Sequence, residues 1–173
     1  TSLAKPGGLK EQEALSAAWA SDSREKRSFR RIRMDMDDPT DKTVDLETYL
    51  PIVVAGQISA ESHPEAIKAQ TILARTYICR QMEASGGGDE IAESALDMDY
   101  VEADQLKSLW GSSRFPEYYR KLEDAVKATS GIVMTYENRC IDPMFCRATA
   151  GMTRKGDFTH PYLENVDCPG DVE

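Results

Sequence analysis

The sequence has 173 residues, a formal net charge of −9 and an isoelectric point near 4.8. This length suits one domain with a real hydrophobic core, and the acidic balance argues against nucleic-acid binding. The sequence contains no signal-peptide pattern and no run of 18 apolar residues. Because the chain opens on Thr1 and not on Met, we expect that an export segment was removed or left out.

Residues 1–43 differ in composition from the rest and are predicted to be a partly flexible flanking segment, followed by a domain over 44–173. Residues 9–20 fit a short helix. Six basic residues lie between positions 24 and 33, and four aspartates follow between positions 35 and 41. A basic run can bind an anionic surface, or the two charge blocks can neutralise each other in solvent. The sequence leaves both interpretations open.

A short apolar helix is predicted to begin at Pro51, because proline fits a first helical position. At about 100° per residue, Gln57 projects between Val53 and Val54 on the apolar stripe of this helix. Either its amide is satisfied by nearby backbone, or it is a polar group held in a cleft for chemistry.

A second and longer helix is predicted over about 64–85. Ser62 can cap it, Pro64 fits its first turn, and Glu65 completes a capping box. The glycines at 86–88 end it. Apolar residues surround this helix almost completely, which is typical of a core element with protein on every side. Its polar residues therefore stand out: Lys68, Gln70 and Arg75.

The remaining sequence predicts an acidic loop over 89–104, a short helix over 106–110 and a clearer helix over 116–129. Residues 132–136 and 141–145 then form a plausible β-hairpin around 137–139, with Pro143 at an edge or bulge. From residue 147 onward, glycines and prolines indicate loops. The predicted class is α+β: a helical half around the buried helix, a small antiparallel β element at about 131–147, and a loop-rich C-terminus.

Several segments together resemble the stage II sporulation protein D family, the SpoIID/LytB domain. The family pattern runs approximately LExYLxGVVAxEM, a short loop, then PxEALKAQAxxARTY. This chain matches it with the segments 46–50 (LETYL), 53–55 (VVA), 64–70 (PEAIKAQ) and 74–77 (ARTY), and later with 128–136 (ATSGIVMTY) and 160–166 (HPYLENV). The resemblance covers about residues 44–171, and the KAQ…ART segment is highly specific. The family domain usually continues further, so we expect this chain to be a fragment.

The resemblance implies cell-wall chemistry. Enzymes of the family act as lytic transglycosylases, in which a carboxylic acid protonates the glycosidic oxygen of peptidoglycan. The sugar's own 6-hydroxyl then attacks and leaves an anhydro end. Desolvation of a partly buried Glu raises its pKa and prepares it for this role. The family places that Glu at the position of Gln57, where a carboxamide cannot transfer a proton at neutral pH.

A second departure follows the hairpin, where the family reads about HSTSGGxT. Here Cys146 takes the position of the His, Thr149 that of the second Ser, and Ala150 that of the first Gly, while Gly151 matches. Two explanations of Gln57 compete, an engineered acid-to-amide change and natural divergence, and several changes in one site favour divergence. Cys146 is interpreted as a small buried apolar residue, because no recognised Cys–His pattern accompanies it.

The resemblance also implies substrate-binding positions around a groove: Lys68, Gln70, Arg75, Cys146, Thr149 and Gly151. Helical geometry places Lys68 and Arg75 on one side of their helix and Gln70 on the other. We therefore predict that Gln70 is a buried scaffold residue that braces a loop. Glu61, in the loop after Gln57, is the candidate substitute acid.

Three functions remain open. The first is cleavage of peptidoglycan glycan strands by this chain, or by its form with Glu at 57. The second is a glycan-binding or amidase-enhancing module in a wall complex with an amidase and membrane proteins. The third is a structural role, such as a coat component without glycan affinity. The resemblance implies an extracytoplasmic location facing the wall and no nucleic-acid partner.

No metal and no cofactor are predicted. The four cysteines, at positions 79, 140, 146 and 168, match no zinc-finger spacing. Some family members carry a metal-binding cysteine pair before a Trp-Gly, and the corresponding residues 89–111 contain no cysteine. Elemental analysis of a chelator-washed sample is therefore expected to give no stoichiometric zinc. One zinc per chain would contradict this prediction.

Overall fold

The computed structural model describes residues 30–34, 42–146 and 148–171. The helix expected over 9–20, half of the six basic residues and the four aspartates at 35–41 lie outside these residues, as does Arg147. Within the described ranges the helices are α1 (Leu46–Gln57), α2 (Pro64–Ala84) and α3 (Ala103–Ala128), and the strands are β1 (Arg31–Arg33), β2 (Thr43–Asp45), β3 (Glu90–Ala92), β4 (Thr135–Tyr136) and β5 (Arg139–Cys140).

Helix α1 begins earlier than predicted, at Leu46 and not at Pro51. Asp45 caps it, because its Oδ1 accepts a hydrogen bond from the backbone N–H of Glu47 at 2.9 Å. Pro51 lies inside the helix and cannot donate to the carbonyl four residues before it. Burial of the apolar side chains of the first turns, Leu46 and Leu50 among them, offsets this loss.

Helix α2 confirms the predicted central helix, but its cap lies one residue later than expected. His63 is the N-cap, and its Nδ1 accepts a hydrogen bond from the N–H of Glu65 at 3.2 Å. Pro64 takes the first helical position, so the residue directly before it becomes the cap. The helix ends at Ala84, and Gly86 and Gly87 adopt positive φ just beyond it.

The acidic segment predicted as a loop contains a strand, β3, which pairs in parallel with β1. Strand β1 also pairs antiparallel with β2, so it is the central strand of a three-stranded sheet. Ile32 on β1 and Ile91 on β3 are buried in the core. Part of the segment predicted to flank the domain therefore packs into it.

Helix α3 consists of two helical parts that meet at a kink at Gly111, as the two helices predicted from the sequence require. Gly111 has φ 74° and ψ 154°, a backbone conformation that residues with a Cβ rarely adopt. The second part begins before Pro116, earlier than predicted. Trp110 and Tyr118 lie on either side of the interruption and make an edge-to-face contact with ring centroids 5.6 Å apart.

The β-hairpin exists but is shorter than predicted. Strands β4 and β5 have two residues each and are joined by Glu137 and Asn138, both with positive φ. This two-residue turn places Arg139 in a strand and leaves Pro143 outside any strand. Among the described residues after it there are loops, one isolated bridge from Met152 to Asp167 and a short 3-10 helix at Pro169–Asp171. The prediction of α+β is confirmed.

One ion pair, between the buried Arg75 and the partly exposed Glu47, connects α1, α2 and the end of α3. The side chain of Arg75 has no exposed surface, and its Nε and Nη2 donate to the two carboxylate oxygens of Glu47, each at 2.8 Å. Its remaining N–H groups donate to Thr129 Oγ1 and to the carbonyls of Val126 and Ile132, at 3.2–3.3 Å. All five donors of the guanidinium are therefore used inside the protein.

Two contacts fix the loop after β3 against α1. Burial raises the pKa of Tyr49, so its hydroxyl stays protonated and donates to Glu93 Oε1 at 3.0 Å. The N–H of Val101 donates to the carbonyl of Ile52 at 3.2 Å. The residues between Glu93 and Val101 are thereby held beside the C-terminal end of α1. Among the described helices, none is both long enough and apolar enough to cross a membrane.

Replacing Arg75 with Leu is expected to lower the free energy of unfolding by about 3–5 kcal/mol, because Glu47 loses its ion-pair partner and the acceptors on Val126, Thr129 and Ile132 lose their donor. The measurement is urea unfolding followed by circular dichroism. The control is Arg33→Ala, which breaks an exposed pair with Glu90 and is expected to cost at most about 1 kcal/mol. If both variants lowered the free energy of unfolding by the same small amount, the structural role of Arg75 would be contradicted.

Candidate functional site

A cleft of about 430 Å³ lies at the C-terminal end of α1. We call it the Gln57 cleft. Residues 56–57 of α1, one face of α2, the loop residues 97–99 and the segment 142–145 contribute to its lining. The loop lies against α1 at Gly56, where an added Cβ would be 3.4 Å from the carbonyl oxygen of Asp99, an ordinary van der Waals distance.

Two side-chain amides meet in this cleft. Gln57 is half-buried at the last residue of α1, and Gln70 on α2 is 7% exposed. The Nε2 of Gln70 donates a hydrogen bond to the Oε1 of Gln57 at 2.7 Å. Of the two amides, the Nε2 of Gln57 and the Oε1 of Gln70 make no other hydrogen bond to the described residues, so the pair can offer a donor and an acceptor to a ligand. Gln70 is buried as predicted, but it contacts Gln57 and does not brace a loop.

The cleft is acidic. Asp97, Asp99 and Asp142 line it, and within the described part of the chain no lysine or arginine does. Tyr77 and Phe145 supply aromatic surface to the same lining. Polar groups that hydrogen-bond, set beside apolar ring faces, suit a polar and mostly uncharged ligand.

Two of the predicted binding residues on α2 lie away from this cleft. Arg75 is fully buried in its contacts with Glu47 and the end of α3, so it has no surface to present to a ligand. Lys68 lines a different depression, between the start of α2 and α3, and pairs with Glu65 at 2.7 Å. Gln70 is thus the one of these three α2 residues that the structure brings to Gln57.

The candidate substitute acid, Glu61, is also directed elsewhere. Its Oε1 accepts a hydrogen bond from the hydroxyl of Tyr118 at 2.9 Å and lies 3.8 Å from Arg114 Nη1. The loop that carries Glu61 is fixed to α3 by Lys121, whose Nζ donates to the carbonyls of Ala60 and Ser62. These contacts turn Glu61 toward α3 and not toward Gln57.

The predicted residues after the hairpin lie in the C-terminal loops. Cys146 is exposed and follows Phe145, so its interpretation as a buried apolar residue is wrong for this structure. Thr149 donates its N–H and its hydroxyl to the carboxylate of Asp171, both at 2.7 Å, and these bonds hold the pKa of Asp171 below its ordinary value. Gly151 has φ 89°, and its carbonyl accepts from the N–H of Cys168.

Sequence reasoning missed the acidic wall of the cleft. Asp97 and Asp99 lie in a segment predicted as an undifferentiated acidic loop, and Asp142 in a segment predicted as a strand. The signal for Asp142 is the Asp-Pro pair directly after the hairpin, which is unusual in a strand. Within the described ranges, no group of three or more His, Cys, Asp or Glu side chains is arranged to hold a metal ion.

Comparison with known proteins identifies the family. A model of the SpoIID family, described as stage II sporulation protein, matches residues 40–136, which is more than half of the chain. Stage II sporulation protein D of Bacillus amyloliquefaciens is 34% identical over 139 residues, covering 75% of this chain and 40% of that protein. Stage II sporulation protein D of Bacillus subtilis (strain 168) is 32% identical over 139 residues with the same coverage. This chain spans about 40% of the length of these relatives, and it belongs to the stage II sporulation protein D family.

Proposed function

We propose that this domain binds the glycan strands of peptidoglycan in the Gln57 cleft, and that it binds them without cutting them. The observation that carries the proposal is the hydrogen-bonded pair of Gln57 and Gln70 in an open cleft. Gln57 stands where the family resemblance places the catalytic Glu. Its free N–H₂ can donate a hydrogen bond to a glycosidic or acetamido oxygen of a sugar.

The absence of turnover follows from the chemistry of the amide. Cleavage by a lytic transglycosylase needs a proton on the leaving glycosidic oxygen, and a carboxamide does not release one at neutral pH. General acid catalysis typically contributes about 10²–10⁴-fold in rate. Glu61 does not compensate, because its carboxylate is directed toward Tyr118 and Arg114 on α3.

A second candidate function is cleavage by the form with Glu at position 57. Glutamate and glutamine have nearly the same shape, and the Nε2 of Gln70 is already placed to donate to an oxygen at position 57. The acid would protonate the glycosidic oxygen as its bond to the anomeric carbon breaks. The 6-hydroxyl of the sugar that bears this carbon would then attack it to close the anhydro ring and would return its proton to the carboxylate. The other residues of the Gln57 cleft would then bind the same glycan strand.

The biological setting follows from the ligand. Peptidoglycan lies outside the cytoplasmic membrane, so we place this domain on the extracytoplasmic side, in wall remodelling during sporulation. Its partners there are a cell-wall amidase and membrane proteins of the same complex, with this chain as the glycan-binding or amidase-enhancing part.

The first test compares the unmodified chain with the Gln57→Glu variant. Both are incubated with denuded glycan strands, and the cleavage products are separated by chromatography. The Glu form is expected to release anhydro-sugar ends about 10²–10⁴-fold faster, because it regains a general acid. Gln81→Glu adds the same charge on α2, outside the lining of the cleft, and is the control. Cleavage by the unmodified chain at the rate of the Glu form would contradict the proposal.

The second test concerns Glu61. In the Gln57→Glu background, the further change Glu61→Gln is expected to leave the cleavage rate unchanged, since this carboxylate contacts α3 and not the cleft. The measurement is the initial rate at which anhydro-sugar ends are released, followed by the same chromatography. A large drop in rate, with the thermal midpoint preserved, would instead identify Glu61 as part of the catalytic site.

A further inference from the structure

The segment after the hairpin brings a further polar group to the cleft, the carboxylate of Asp142. Its backbone is fixed from both sides by Tyr162. The phenolic oxygen accepts a hydrogen bond from the N–H of Asp142 at 3.0 Å, and the hydroxyl donates to the carbonyl of Asp142 at 3.2 Å. One side chain thus determines the position of this residue.

The carboxylate of Asp142 lies near two basic side chains, but neither of them donates a hydrogen bond to it. Its Oδ2 lies 3.6 Å from His160 Nε2 and 3.9 Å from Arg80 Nη2. Both distances exceed a hydrogen bond of 2.7–3.2 Å. Neither oxygen accepts a hydrogen bond from the described residues, and the side chain is 35% exposed. The acceptor capacity of Asp142 is therefore available to a ligand in the cleft.

The orientation of the carboxylate is supported by a second layer. The Nδ1 of His160 lies 2.7 Å from Thr159 Oγ1 and 3.5 Å from Asp157 Oδ1. Asp157 accepts hydrogen bonds from the hydroxyl of Thr159 and from the N–H groups of Thr159 and His160, which hold its pKa at about 2. The imidazole is thereby anchored on the side away from Asp142, with its Nε2 facing that carboxylate.

Taken with the amide pair, this arrangement matches the hydrogen-bonding pattern of a sugar. Gln57 offers donors, Gln70 offers an acceptor, and Asp142 offers two acceptors, whereas sugar hydroxyls donate and accept. We propose that Asp142 binds the glycan strand by accepting hydrogen bonds from sugar hydroxyls in the Gln57 cleft. Tyr162 and His160 are the residues that position it. This inference rests on the proposed glycan function and adds a binding group that the family resemblance does not supply.

The test is isothermal calorimetry of denuded glycan oligosaccharides with the unmodified chain and with Asp142→Asn. Loss of a charge-assisted hydrogen bond is expected to weaken binding about tenfold, with an unchanged thermal midpoint. The matched control is Glu164→Gln, which removes an exposed carboxylate of the same loops that makes no hydrogen bond or ion pair with the described residues. It is expected to bind like the unmodified chain.

A double-mutant cycle tests the positioning role. Tyr162→Phe is expected to weaken binding when Asp142 is present and to have no further effect in the Asp142→Asn background, because it acts through that carboxylate. Additive losses would contradict positioning.

A further variant, Gln57→Ala, distinguishes failure of the role assigned to Asp142 from failure of the proposed glycan binding. If the unmodified chain binds, Gln57→Ala binds weakly, and Asp142→Asn binds normally, the assignment of Asp142 is overturned while the proposed function stands. If the unmodified chain does not bind the oligosaccharides, the proposed function falls, and the assignment of Asp142 falls with it.

Discussion

The ion pair between the buried guanidinium of Arg75 and the carboxylate of Glu47 is the constraint on which the rest of this structure depends. A guanidinium without exposed surface is tolerated only when its charge is paired and its donors are satisfied, and here all five N–H groups find acceptors. Those acceptors belong to α1, to the end of α3 and to the segment before the hairpin. The pair therefore fixes the relative positions of the elements that surround the cleft.

The cleft follows from this arrangement. Glu47 lies in the first turn of α1 and Gln57 at its last residue, so anchoring one end of the helix directs the other end toward α2 and Gln70. The segment that begins at Ile132 leads through the hairpin to Asp142, which closes another side of the cleft. The residue that the family motif suggested as a ligand contact, Arg75, is thus the residue that builds the site.

Local sequence signals predicted the helical part of the fold well. Pro64 and the glycines at 86–88 bound α2 to within one residue, and helical periodicity placed Gln57 beside buried valines. Local signals could not predict the pairing of β1 with β3, which are almost sixty residues apart and each have one buried side chain. The site could be predicted only in part, for the same reason. Gln57 and Gln70 were found because helical periodicity places them, whereas Asp142 is held at the cleft by tertiary contacts with Tyr162 and His160.

The measurement that tests the central claim most directly is nuclear magnetic resonance of the side-chain amide groups during titration with denuded glycan oligosaccharides. Binding in the Gln57 cleft predicts that the Nε2 signals of Gln57 and Gln70 shift together and saturate at the same ligand concentration. The amide of Gln105, at the start of α3, is predicted to stay unchanged. Shifts confined to other residues, with both cleft amides unperturbed at saturation, would contradict the account.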